Sequence, residues 1–145
     1  MTHHPHDALF KASLTPEAAL AICRAVLPRE LAEALARAEI TLAPGEFIEE
    51  ALRDRSSDVL YRAVFDDQET LIYVLFEHQS TVDRLMAFRV LRYMVRIWSQ
   101  WLDHQEGRPQ RLPPILPIVV YHGERSWNAT QSFEDLVDLP AHLAG

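Results

Sequence analysis

The chain has 145 residues, a formal net charge of −7, 48% hydrophobic residues, one cysteine, four glycines and nine prolines. That length favours one domain with a sizeable core, and the ordinary apolar fraction excludes global disorder and a disulfide scaffold. The single Cys23 fits a reducing compartment, no stretch reaches about 18 uninterrupted apolar residues, and the opening MTHHPHDALF has no cation before an apolar run, so a cytoplasmic protein without membrane contact is expected.

Thr15-Pro16-Glu17 combines a capping hydroxyl, a proline suited to the first helical position and an acid near the positive end of the dipole, so a helix should start at Pro16. Pro28 should break it, with a second helical stretch to about Ala38 and a loop at Pro44-Gly45. Ser57 to Phe65 and Leu71 to Gln79 read as a β-hairpin around the polar turn Asp66 to Glu69. Both faces of the second strand are apolar, as expected for a strand covered on both sides. From Val82 to Leu102 the chain has no proline or glycine and forms one long helix, with Arg89, Arg92 and Arg96 on a single stripe. Ile115 to Tyr121 is a strand whose Pro117 places it near an edge. Strand, helix, strand in that order implies a crossover onto one sheet. Trp127, Phe133 and Leu136 fall in a final loop and short helical segment.

The acidic total counts against non-specific nucleic-acid binding, which normally rests on a basic footprint. The total conceals a gradient, because residues 1–82 hold 7 basic and 14 acidic side chains, residues 83–112 hold 6 arginines and 3 acids, and the remainder holds 1 and 4. Thirteen of the 14 cations are arginine, which favours bidentate contact with phosphate or carboxylate.

Glu77 and Gln79 are two apart on a strand and leave the same face, whereas His78 leaves the other and reads as a core histidine. A turn centred between Asp67 and Gln68 would set Asp58 directly opposite Glu77. Carboxylates placed so, with Cβ atoms roughly 4.5–5.5 Å apart, repel by a few kcal/mol at an effective dielectric near 20. A divalent cation reverses that penalty, and two carboxylates plus a carboxamide suit Mg²⁺ or Mn²⁺. The same spacing is compatible with Asp58 lying just outside the strand and Glu77 ion-paired with Arg89 or Arg92. Cys23 reads as a buried structural thiol. His3, His4 and His6 read as incidental at a mobile terminus.

The blocks HDALFK, SDVLYR, LIYVLFEHQS, FRVLRYMVRIW and LPIVVYHGERSW, in this order over about residues 6–138, resemble the Rpn (recombination-promoting nuclease, YhgA-like transposase) family, itself similar to PD-(D/E)xK nucleases. The resemblance implies an α/β restriction-endonuclease-like core. Its order is helix, three-strand meander, crossover helix and a further strand, in a mixed sheet flanked by helices. Glu46 to Glu50 is the candidate first strand.

By position, Asp58 resembles the metal-binding aspartate, Glu77 the second acidic ligand, and Gln79 the residue at the place of the superfamily lysine, a departure that removes a positive charge. Asp7, Lys11 and Glu49 are accessory candidates, with structural or solvated positions as the competing reading. Arg89, Arg92 and Arg96 are DNA-contact candidates, with a solvated or ion-paired face as the competing reading.

What the resemblance implies is a metal-dependent DNA endonuclease of recombination or transposition-type processing, with Mg²⁺ (or Mn²⁺) as cofactor, DNA as partner and homodimerisation left open. The rival is a catalytically inactive DNA-binding or protein-interaction module on the same fold. One domain over residues 1–145 is expected, with residues 1–15 as a mobile terminus. Because members extend beyond the YHGERSW block, a C-terminal extension is expected to be lacking.

Overall fold

A computed structural model describes residues 15–44, 58–65, 67–77, 82–121, 126–138 and 140–141. Helix α1 (Pro16–Val26) starts as its sequence dictates: the Thr15 hydroxyl accepts the Ala18 N–H at 3.2 Å and Pro16 fills the first turn. Pro28 then caps helix α2 (Arg29–Ala36), which stops two residues short of the expected Ala38. The chain turns at Arg37 and enters strand β1 (Glu39–Leu42), whose four residues pair antiparallel with strand β2 (Val59–Phe65). The first strand of the meander is therefore Glu39–Leu42, and Glu46 to Glu50 lies outside the described residues.

Strand β3 (Gln68–Glu77) pairs antiparallel with β2, and strand β4 (Ile115–Tyr121) runs parallel to β3 after helix α3 (Met86–Asp103), giving the sheet order β1-β2-β3-β4. This is the expected α/β order, and β4, with its Pro117, is one of the two outer strands among the described residues. A short 3-10 turn, Glu134–Leu136, lies in the final segment.

Strand β3 is buried from Thr70 through Glu77. Its alternate residues feed two cores: Leu71, Tyr73 and Leu75 meet Met86, Val90, Tyr93 and Ile97 of α3, while Ile72, Val74 and Phe76 meet Ala19 and Cys23 of α1 and Leu35 of α2. The α3 residues recur at intervals of four, three and four, one helical stripe. Trp98 fixes the far end of α3 by donating its indole N–H to the Pro113 carbonyl at 2.8 Å.

The hairpin turn is tighter than expected. Phe65 pairs with Gln68, so only two residues close the turn, and Asp67 takes a positive φ of 59°. This moves the register by two: Val59 faces Val74, and continuing the ladder sets Asp58 opposite Leu75 rather than Glu77. Because side chains alternate with a period of two, a slip of two preserves the face, whereas a slip of one would have separated the carboxylates onto opposite sides of the sheet.

Candidate functional site

Asp58 is the residue immediately before β2, and Glu77 is the last of β3. They become diagonal neighbours on the face covered by α3, a relation that sets residues roughly 7–8 Å apart along the backbone. Both are buried, at 0% and 2% relative exposure. Carboxylates are rarely this buried unless they are bonded or paired.

Each has identifiable partners. The Tyr73 hydroxyl donates to Asp58 Oδ2, and the Phe76 N–H donates to Asp58 Oδ1 at 3.4 Å. Tyr73 stands two pleats before Glu77, so the same alternation that aims Glu77 at α3 aims its phenol there. Glu77 Oε2 lies 3.3 Å from Arg89 Nη1 on the first turn of α3. The same nitrogen lies 2.8 Å from Asp83 Oδ2, so one guanidinium bridges two carboxylates. Asp83 is itself fixed at the mouth of the helix, where its Oδ1 accepts the Leu85 N–H at 2.9 Å. Burial pulls the Arg89 guanidinium down, but the hydrogen bond to Asp83 and the charges of Glu77 and Asp83 outweigh it, and its pKa stays above the ordinary value.

Thus the structural alternative admitted by the spacing is present: Asp58 precedes its strand and Glu77 pairs with Arg89. Direct opposition of the two acids is replaced by a diagonal. Of the other stripe residues, Arg92 lies over the rings of Phe88 and Tyr93 at 5.8 and 5.7 Å, and Arg96 lies over Tyr93 at 5.2 Å. Cys23 is buried as expected, and burial pushes its thiol pKa up. Gln79, Asp7, Lys11, Glu49, His78 and the N-terminal histidines lie outside the described residues.

Two participants escaped the sequence reading. Tyr73 had a signal in its parity with Glu77. Asp83 had none, because it precedes α3 and stands six residues from Arg89, outside the helical three-and-four rule. Among the described residues no group of three or more His, Cys, Asp or Glu gathers, and no helix is long and apolar enough to cross a membrane. The carboxylate pair can hold a hard cation only with oxygen donors added from elsewhere, a role Gln79, water or substrate phosphate can fill.

This arrangement of a meander, a crossover helix and two buried acids at the strand ends sits inside a recognised sequence family. The model described as "Putative transposase, YhgA-like" matches residues 4–144. The chain belongs to this family. The YhgA-like chain is 38% identical over 126 residues to "Recombination-promoting nuclease RpnD" of Escherichia coli O157:H7, covering 86% of this chain and 48% of that protein. It is also 38% identical over 126 residues to "Inactive recombination-promoting nuclease-like protein RpnE" of E. coli K12, covering 86% and 41%. With "Recombination-promoting nuclease RpnC" of the same strain it shares 39% identity over 121 residues, covering 83% and 39%. The chain spans less than half the length of each of these relatives. No solved structure matches.

Proposed function

We propose that this YhgA-like chain is the core of a Mg²⁺-dependent endonuclease that hydrolyses phosphodiester bonds of DNA in recombination or transposition-type processing. The observation that carries the reading is the pair of buried carboxylates, Asp58 and Glu77, on one face of the sheet beside an arginine-bearing helix. The donor chemistry suits a hard divalent cation: two carboxylates, Asp58 and Glu77, offer oxygen ligands from the ends of neighbouring strands on one face of the sheet. Asp58 and Glu77 would hold Mg²⁺ or Mn²⁺. Such an ion, when bound, would lower the pKa of a coordinated water and polarise the scissile phosphate.

The remaining residues divide the other tasks. Tyr73 holds the Asp58 carboxylate through its hydroxyl. Arg89, anchored by Asp83, can neutralise Glu77 or a phosphate oxygen at the same place. Gln79 can orient a water through its amide but cannot accept its proton for turnover. The decisive experiment is nicking of supercoiled plasmid with Mg²⁺ or Mn²⁺, which Asp58→Asn and Glu77→Gln should each abolish while the variants keep the wild-type circular dichroism. Cleavage surviving both substitutions would falsify the assignment.

One observation favours a second reading, a DNA-binding or protein-interaction module without cleavage. A guanidinium already lies against Glu77, and a phenol already occupies Asp58, so both acids are compensated without metal. DNA binding with no metal-dependent cleavage is the outcome that selects it.

A further inference from the structure

We infer that the outer surface of α3, together with Phe133, is a binding platform for single-stranded DNA, on which an unpaired base stacks while arginines hold the flanking phosphates. The inference deepens the nuclease reading by naming the form of the substrate, and rests on it only for the role of Asp58 and Glu77. Three contacts and one helical step lead outward from the carboxylates: Glu77 to Arg89 at 3.3 Å, then three residues along α3 to Arg92, Arg92 to the Phe88 ring at 5.8 Å, and Phe88 to Phe133 with centroids 6.5 Å apart and planes 26° from parallel.

Phe88 and Phe133 are 44% and 39% exposed, costly for two large rings unless a partner covers them. Rings flanked by guanidinium groups match what a nucleic-acid strand offers, a π face for each base and a charge for each phosphate. Of the 6 arginines that residues 83–112 carry against 3 acids, Arg92 and Arg96 are on this face of α3, in a chain of net charge −7. Arg96 extends the cationic edge over Tyr93. Phe133 also borders an apolar cavity of about 650 Å³, lined among others by Val90, Met94 and Trp127 with Thr130 and Gln131, which offers an unstacked base a concave neighbour. A duplex hides its base faces, so the platform selects single strands.

The test is fluorescence anisotropy of a labelled oligothymidylate about 12 nucleotides long, in EDTA, against the same strand in a blunt duplex. Phe88→Ala should weaken single-strand binding about 5- to 100-fold, and Phe133→Ala by a smaller factor in that range. Phe88→Leu, which keeps apolar bulk without a π face, should behave like Phe88→Ala, and duplex binding should not change. Arg92→Ala should lower the slope of log affinity against log salt by about 0.7. Both phenylalanines are exposed, so unchanged melting of the variants shows that the fold is intact. Wild-type affinity in Phe88→Ala and Phe133→Ala, or no binding of the oligonucleotide by wild type, overturns the inference. Plasmid cleavage separates the two ideas. Cleavage with aromatic variants that bind normally removes the platform alone, and aromatic-dependent binding without cleavage removes the nuclease reading alone.

Discussion

Arg89→Met should be the most informative single substitution for stability. The side chain is 15% exposed and its Glu77 partner 3% exposed, so the pair is little screened by solvent. At 3.3 Å and an effective dielectric near 20, the attraction is ~5 kcal/mol, but most of it offsets the desolvation of both groups. What the substitution changes is larger than the net worth of the pair, because it removes the Arg89 cation from a carboxylate buried in the core. Stranding one partner of a buried pair costs about 3–5 kcal/mol. Asp83 contributes little to that loss, since it is more exposed and keeps its bond from the Leu85 N–H.

For a chain of 145 residues, about 3 kcal/mol corresponds to a melting-temperature drop of roughly 6–12 °C, measurable by circular dichroism in EDTA. Adding Glu77→Gln removes the stranded charge, so the double variant should regain about 1–2 kcal/mol over Arg89→Met alone, a non-additivity expected of contacting groups. Saturating Mn²⁺ should raise the melting temperature more in Arg89→Met than in wild type, because the ion no longer competes with a guanidinium for Glu77. An Arg89→Met protein that melts within about 1 °C of wild type, or a double variant whose losses simply add, refutes the buried-pair account.

Tyr61 is fully buried, and burial, together with the nearby Cys23, pushes its phenol pKa up from 10.0 to about 12. A raised folded-state value means stability is intact below pH 10 and falls between pH 10 and 12, by about 2–3 kcal/mol in all; urea titrations across that window should show the slope, and Tyr61→Phe should flatten it. Cys23 should resist a thiol-directed disulfide reagent in the native protein and react at once in denaturant, with fast native labelling contradicting its burial. Asp67→Gly relieves the left-handed φ of 59° in the hairpin turn and should stabilise by about 0.5 kcal/mol in urea unfolding, whereas Asp67→Val should destabilise.

The sequence exposed the sheet more readily than its edges. The unbroken apolar run of β3 and the proline-free length of α3 are strong local signals, and Pro117 marked β4 as an outer strand because proline cannot donate to a second ladder. Strand β1 was invisible for the opposite reason. Its four residues, Glu39 to Leu42, follow directly on the helix-favouring ELAEALARA, and only their pairing with Tyr61 to Val64 makes them a strand.

The register was misjudged because Asp66 to Glu69 reads as a polar loop, while backbone geometry at Asp67 lets two residues close the turn. The common face of Asp58 and Glu77 was legible all the same, since parity survives an even slip. Their partners were less so. Tyr73 shares that parity and was recoverable, but the bridge from Asp83 through Arg89 depends on how α3 approaches the sheet, which no spacing rule encodes.

The net charge of −7 therefore misrepresents the outer face of α3. Two of the acids, Asp58 and Glu77, are buried and bonded within the fold, so they add little to the field at the outer face of α3. Arg89 is bonded to Glu77 and Asp83, and Arg92 and Arg96 lie over aromatic rings on the exposed side of the stripe. A guanidinium over a ring keeps its charge while its flat face is desolvated, a state suited to meeting a base and a phosphate together. On the proposed reading, binding and catalysis would fall to different residues of neighbouring elements.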